Sequence, residues 1–317
     1  MTHGVPGGWD EDSELGARFV KATLHFPDDY DGTVTATLVR TKALLSTRRA
    51  VLYLHGLIDY FFQRHVAEAF NAAGYNFYAL DLRKYGRSLG NAAHPNFCRK
   101  VEEYFPEITA AIDIITKVDG HDGVVLMAHS TGALAAVLYA KVGDSRGLVT
   151  HMILNSPFLE LPQGSVIGHV GAFIGWLRPF GRIRNPVNRW YGKSLHADYK
   201  GEWRFNTGWK PVEGAVAFYG WVRAVVRVQD RVKEGLGLGL PILVMHSDKS
   251  ESGDTWSEQF HYADLILDVR HIKEFAPKLG SRVVLQEIPD GKHDLTLSCE
   301  APRAQCLRVM LEWLSER

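Results

Sequence analysis

One feature constrains this chain more than any other: an apolar run that ends on a serine and passes at once into a helical pattern, Val124-Val125-Leu126-Met127-Ala128-His129-Ser130-Thr131-Gly132-Ala133. A strand that enters a helix through so sharp a turn holds the serine in a strained backbone conformation with its hydroxyl exposed. Such a turn demands small residues two positions away on each side, and Ala128 and Gly132 supply them. The order of strand, serine and helix belongs to a mostly parallel sheet wrapped by helices. The same five residues also suit a Ser-Thr turn capping an ordinary helix, so their chemistry has to be argued from the rest of the chain.

That rest alternates short β-branched runs with helical patterns. Phe19 to Phe26 and Val34 to Thr41 read as two strands around the turn residues Pro27-Asp28-Asp29-Tyr30-Asp31-Gly32, which predicts an antiparallel edge. A strand at Ala50 to Leu54, a helix from Tyr60 to Ala73 stopped by Gly74, and a strand from Tyr75 to Leu80 that ends at Asp81 form a βαβ unit. Val101 to Val118 carries helical spacing, with Pro106 tolerable in a first turn. After the serine, a helix from about Ala133 to Val142 precedes a strand at His151 to Asn155, which Ser156-Pro157 ends. Further strands are read at Ile242 to His246 and Arg282 to Ile288, and a helix from Ala301 to Leu314 closes the chain.

The length of 317 residues accommodates one α/β domain with one inserted subdomain. Thirty-six basic and 36 acidic side chains cancel, which leaves no global field for nucleic acid. Cys98, Cys299 and Cys306 are too scattered for a disulfide framework or a zinc site, and point to a reducing, cytoplasmic setting. Residues 1–18 read as a mobile tail without the pattern of a secretion signal. No apolar stretch approaches the roughly 18 residues a membrane span needs.

Between Glu160 and Gly235 the alternation stops. Trp176, Trp190, Trp203, Trp209 and Trp221 fall in this stretch, with twelve basic residues against six acidic. Residues 160–235 are therefore read as a cap inserted between two parts of a core, 19–159 and 236–317. Most of its aromatic residues are expected to be the cap's own packing. Others, with Phe173, Phe180, Phe205, Phe218 and Tyr219, would line an apolar tunnel. Arg182, Arg184, Arg189 and Lys193 would allow peripheral contact with a lipid surface. Gly235-Leu236-Gly237-Leu238-Gly239-Leu240-Pro241 has the wrong spacing for a phosphate loop and leads into a strand, so it reads as a flexible return linker.

His293 falls on the loop after the last strand, where a sheet of this kind brings a base beside the serine. For the acid that would orient it, two positions compete. Asp248 directly follows the strand Ile242 to His246; Asp264 precedes a helix from Val269 to Leu279. One of the two at least must be an ordinary turn or cap aspartate.

Taken together, His55-Gly56-Leu57, Asp81-Leu82-Arg83-Lys84-Tyr85-Gly86-Arg87-Ser88, the serine turn, Asn155-Ser156-Pro157-Phe158 and His293 resemble the α/β-hydrolases of the serine aminopeptidase S33 and monoacylglycerol lipase-like (lysophospholipase-like) group. The resemblance runs from about residue 20 to the end. It implies the α/β-hydrolase fold, and it favours Asp264, because Ala263-Asp264-Leu265-Ile266-Leu267-Asp268 is similar to the stretch that carries the acid in the monoacylglycerol lipase-like proteins. Two departures stand out: Ala128 replaces the first glycine of the serine turn, and Lys84-Tyr85 occupy a place where the family has glycine.

The implied chemistry is acyl transfer without cofactor or metal. Ser130 attacks a carbonyl, His293 takes its proton, Asp264 orients the imidazole, and the backbone N–H groups of Leu57 and Thr131 receive the oxyanion. A small-molecule acyl ester, of the monoacylglycerol or lysophospholipid kind, is the expected substrate. The rival readings are a peptidase of the aminopeptidase type, against which the sparse acids Glu160, Asp198, Glu202 and Glu213 argue, and a non-catalytic binder on the same scaffold. A metal-dependent hydrolase lacks any supporting ligand spacing.

Overall fold

The computed structural model describes residues 8–183 and 188–316. In chain order the elements are β1 (Asp10–Glu11), β2 (Val20–Asp29), β3 (Gly32–Thr41), β4 (Arg49–Leu54), α1 (Arg64–Ala72), β5 (Asn76–Asp81), α2 (Phe105–Asp113), β6 (Gly123–His129), α3 (Ser130–Val142), β7 (Val149–Asn155), α4 (Ser165–Leu177), β8 (Arg182–Ile183), α5 (Arg189–Leu195), β9 (Ala217–Phe218), α6 (Tyr219–Glu234), β10 (Ile242–Ser247), α7 (Val269–Phe275), β11 (Val283–Ile288) and α8 (Glu300–Ser315). Among the described residues nine strands make one sheet in the order β1-β2-β3-β5-β4-β6-β7-β10-β11. The first three and β5 pair antiparallel, and from β5 to β11 the sheet is parallel. This is the α/β-hydrolase arrangement.

Period-two burial explains why helices cover both faces. In β6, Val124, Leu126 and Ala128 join one apolar cluster with α2, α3 and α6. Val125 and Met127 join another with α1 and α8. Strands buried on both sides read as continuous apolar runs, and β4, β6 and β7 were legible for that reason. The Val101 to Val118 pattern resolves into a 3-10 turn, α2 with Pro106 at its start, and a closing π turn.

Two segments are more firmly held than their composition suggests. Within the expected tail, β1 pairs with β2, and the buried Asp12 carboxylate meets Arg87 Nε at 2.6 Å while accepting from Leu15 N–H at 2.9 Å. Residues 1–7 lie outside the described residues. The glycine-rich return segment is likewise fixed: Leu236 and Leu238 are buried, and their N–H groups donate to Lys278 and Leu279 carbonyls at 2.9 Å each. Alternate leucines there anchor a segment whose glycines alone would leave it free.

Between β7 and β10 most aromatic residues pack, and Phe205, Tyr219 and Trp221 line a cavity, whereas Phe173 and Trp176, expected in packing or tunnel, stand more than half exposed. Tyr191, Leu195, Phe205 and Val212 cluster with Tyr60, Phe62, Phe260, Leu265 and Leu297, and Trp190, Trp203 and Trp209 pack against them. Helix α6 buries Trp221, Val225, Val228 and Val232 in the larger core cluster. Helix α4 crosses it on glycines: a Cβ on Gly175 would stand 2.1 Å from the Tyr219 carbonyl oxygen. Among the described residues no helix is long and apolar enough to cross a membrane.

Candidate active site

Ser130 opens α3, three residues earlier than the sequence pattern places the helix, and holds φ at +51°. A non-glycine residue in that region costs of order 1–3 kcal/mol and persists only where its surroundings enforce it. The loop after β4 provides the enforcement. A Cβ on Gly132 would stand 2.2 Å from the His55 carbonyl oxygen, and one on Gly56 would stand 3.1 Å from Ser130 Cβ. Gly132→Ala is therefore expected to destabilise the protein by about 1–3 kcal/mol through overpacking, read as a lowered urea midpoint. Ala128 lies between Leu54 and Leu154 in register, and its methyl belongs to the larger core cluster. The departure from glycine thus adds packing without blocking the turn.

The structure brings Ser130, His293 and Asp264 together and leaves Asp248 apart. Ser130 Oγ is 3.0 Å from His293 Nε2, and His293 Nδ1 is 2.9 Å from Asp264 Oδ2. An ionised carboxylate only accepts, so Nδ1 carries the proton and Nε2 is left to accept from the serine. Asp264 itself is fully buried, its Oδ1 accepting from Ile266 and Leu267 N–H at 2.8 Å each. Its backbone N–H donates to the Lys249 carbonyl at 3.0 Å. Asp248 instead accepts from Asp290 N–H at 2.8 Å and faces Lys249 Nζ at 3.5 Å. It is a turn aspartate.

A second carboxylate, Asp294, anchors the loop that delivers His293. Its Oδ1 accepts from Asn155 Nδ2 at 2.7 Å and from Thr296 Oγ1 at 2.7 Å. Its Oδ2 accepts from Gln63 Nε2 at 3.0 Å. Burial raises its carboxyl, but the neighbouring His129, the hydrogen bonds from Thr296 and Gln63, and Lys210 together outweigh burial and hold it below the ordinary value.

Burial pushes the neighbouring His129 imidazole down to about 4, with Asp294 opposing the shift. The sign follows. Below its unfolded value of 6.5, the unfolded chain takes a proton that the fold refuses, so this contribution is whole above pH 6.5 and is lost as pH falls toward 4. The unfolding free energy should decline by on the order of 3 kcal/mol over that interval on account of this group. His129→Gln is expected to flatten the pH dependence measured by urea denaturation.

Both histidines flanking the serine loop bond to backbone. His55 Nδ1 donates to the Gly56 carbonyl at 2.8 Å while its Nε2 accepts from Leu82 N–H at 3.1 Å. His129 Nδ1 donates to the Asn155 carbonyl at 3.2 Å. The segment after β5 is structural too: Asp81 accepts from Phe61 N–H at 3.0 Å and pairs with Arg87 at 2.8 Å. Lys84 takes φ +65°, the conformation that explains a family glycine here. Its ammonium lies 2.9 Å from Asp29 and 3.0 Å from Asp31.

Ser130, His293, Leu57 and Thr131 all line one cavity of about 1010 Å³. Phe158, Leu161, Ile167, Trp221 and Val222 form an apolar part of its wall, and Asp248, Lys249, Ser250 and Asp268 a polar part. Asp59, His129 and Asp294 bring ligand atoms within 4.8 Å of one another. Protein donors already occupy these carboxylates, Asp59 through Lys210 Nζ at 2.6 Å and Asp294 as above, so the trio reads as a hydrogen-bonded scaffold. Sequence reasoning missed Lys210, Tyr191, whose ring stands edge-on to His293 at 5.6 Å, and Asp294. Only Asp294, adjacent to His293, carried any signal.

Comparison with known proteins places the chain in a family and a fold. The model of the family described as serine aminopeptidase, S33, matches residues 46–300. A monoacylglycerol lipase of Mycolicibacterium smegmatis is 27% identical over 210 residues, covering 64% of this chain and 70% of that one. Among solved structures, a soluble variant of the Saccharomyces cerevisiae monoglyceride lipase, in complex with a substrate analog, aligns over 92% of this chain and 94% of its own. Its TM-score is 0.69 at 16% identity. The monoacylglycerol lipase of Paleococcus ferrophilus aligns over 95% and 99%, with a TM-score of 0.65 at 18% identity. The solved structures attest the fold, and the family match, which spans the serine turn, Asp264 and His293, establishes that this chain belongs to the serine aminopeptidase S33 family of α/β-hydrolases.

Proposed function

We propose that the protein is a serine hydrolase that cleaves an acyl ester of the monoacylglycerol or lysophospholipid type. The observation that carries the reading is the continuous chain from Ser130 Oγ through His293 to Asp264, at 3.0 and 2.9 Å, opening into a largely apolar cavity. Ser130 Oγ attacks the ester carbonyl as its proton passes to His293 Nε2. The N–H groups of Leu57 and Thr131 hold the oxyanion, and the tetrahedral intermediate expels the alcohol, which takes the proton from His293. Water, deprotonated by His293, then attacks the acyl-enzyme, and Ser130 recovers its proton as the acid leaves.

Residues 160–235 act as the cap, over a core of 19–159 and 236–317, and choose the substrate. Three of the four acids lining the cavity are ion-paired, Asp59 with Lys210, Asp248 with Lys249 and Asp268 with Arg270, which argues against capture of a free amino terminus. The test compares p-nitrophenyl esters of increasing chain length with aminoacyl p-nitroanilides. Turnover of the esters alone, rising with chain length, is expected; preference for the anilides would establish the peptidase reading instead. The free cysteines Cys98, Cys299 and Cys306 agree with a cytoplasmic, reducing setting.

Lipid contact has its own support. One face of α4 packs by glycine on α6, and the other leaves Val166, Val170, Phe173, Trp176 and Leu177 more than half exposed. Ile167 joins that face to the cavity wall, and Arg182 lies exposed nearby in the chain. Arg184 lies outside the described residues. An apolar helix face of this kind enters a lipid interface. Val170→Asp with Trp176→Asp is expected to abolish sedimentation with anionic phospholipid vesicles while turnover of a soluble short-chain ester is kept. Unchanged sedimentation would refute the contact.

A further inference from the structure

The loop after β4 carries strain that the loop itself does not explain. Ile58 holds φ at +53°, which for a β-branched residue is a genuine outlier maintained only by its surroundings. The next two residues are both gripped by one turn of the insertion, Asn206 to Lys210. Lys210 Nζ stands 2.6 Å from Asp59 Oδ1, with the side chains only 8% and 2% exposed. Tyr60 Oη accepts from Asn206 N–H at 2.7 Å and donates to Glu14 Oε1 at 2.7 Å. The Tyr60 ring meets Trp209 edge-on at 5.2 Å.

The gripping turn is itself rigid. The Asn206 carbonyl accepts from Trp209 and Lys210 N–H at 3.1 and 2.9 Å, and its side chain accepts from Gly208 N–H at 2.9 Å. Phe62, Tyr191 and Phe205 surround the Lys210 ammonium, with ring centroids at 5.5, 5.9 and 5.8 Å. A buried ion pair is weak as a source of stability, because desolvation consumes much of its Coulomb gain, yet it fixes geometry well. Asp59 lies two residues from Leu57, and both line the cavity with Ser130.

The geometry points to Lys210 and Asp59 as a positioning pair: the insertion's lysine holds the loop so that the Leu57 N–H faces the oxyanion. The insertion thereby sets transition-state stabilisation as well as the shape of the cavity. This rests on the hydrolase reading above. A strained donor loop released by even about 1 Å is enough to cost catalysis roughly 100-fold.

The test measures kcat and KM of the full chain on p-nitrophenyl butyrate for wild type, Lys210→Met, Lys210→Arg and the Asp59→Asn/Lys210→Met pair, with thermal melting alongside. Lys210→Met is expected to lower kcat about 10- to 100-fold with KM within about twofold, and Lys210→Arg to recover most of the loss. Should Lys210→Met melt early, the double variant leaves no charge unpaired, and its kcat should still fall. Unchanged kcat in a folded Lys210→Met, a loss confined to KM, or failure of arginine to rescue would overturn the pair's role alone. An inert wild type would overturn the hydrolase reading, and this one with it.

Discussion

Ser130→Ala is expected to lose ester turnover by a factor of about 10⁶ in kcat, with KM little changed, because the attacking atom is gone while the cavity stays intact. Removing Oγ leaves Nε2 of His293 without its donor at 3.0 Å and nothing to form the acyl-enzyme. The residual rate over water should come from the oxyanion donors and binding alone. Alanine takes the serine's place without a new clash, so the melting temperature should stay close to that of the wild type. A steady-state assay on a p-nitrophenyl ester reads the loss directly.

Asp264→Asn should cost about 10⁴ in kcat, whereas Asp248→Asn should cost no more than a few-fold. The reason lies in which atoms Asp264 uses. Its Oδ1 caps Ile266 and Leu267 N–H at 2.8 Å, a role an amide oxygen fills equally well, so the loop keeps its shape. The amide nitrogen then faces His293 Nδ1 in place of Oδ2 and donates, which forces the proton onto Nε2 and leaves no acceptor for the Ser130 hydroxyl. Asp248 accepts from Asp290 N–H and Ser247 Oγ and faces Lys249 instead of His293. Comparable losses in the two variants would remove the assignment of Asp264.

What could be read from the chain beforehand follows a physical division. The serine turn was legible because its demand is local: small residues at fixed offsets and an apolar strand buried on both faces, as β6 is. His293 was legible because parallel topology delivers the loop after the last strand to the same sheet edge. In the sequence only the family resemblance separates Asp264 from Asp248, since both follow strands or precede helices; in the fold Asp264 turns toward His293 and Asp248 toward Asp290 N–H. Lys210 was illegible: it meets Asp59 across 151 residues, and nothing near Trp209-Lys210-Pro211 announces a partner. The N-terminal anchor was missed for a similar reason, because Asp12 finds Arg87 across 75 residues while its neighbours are polar. The glycines of α4 gave no sign that one of its faces would pack on α6 and the other stay bare.

Ser130 is proposed as a nucleophile primed by His293. Mapping a fluorophosphonate adduct by peptide mass spectrometry tests it most directly. The account predicts one stoichiometric adduct on Ser130, abolished in Ser130→Ala and slowed by orders of magnitude in His293→Ala. An adduct on another residue, or ester turnover that continues in a protein the probe leaves unlabelled at Ser130, would contradict it.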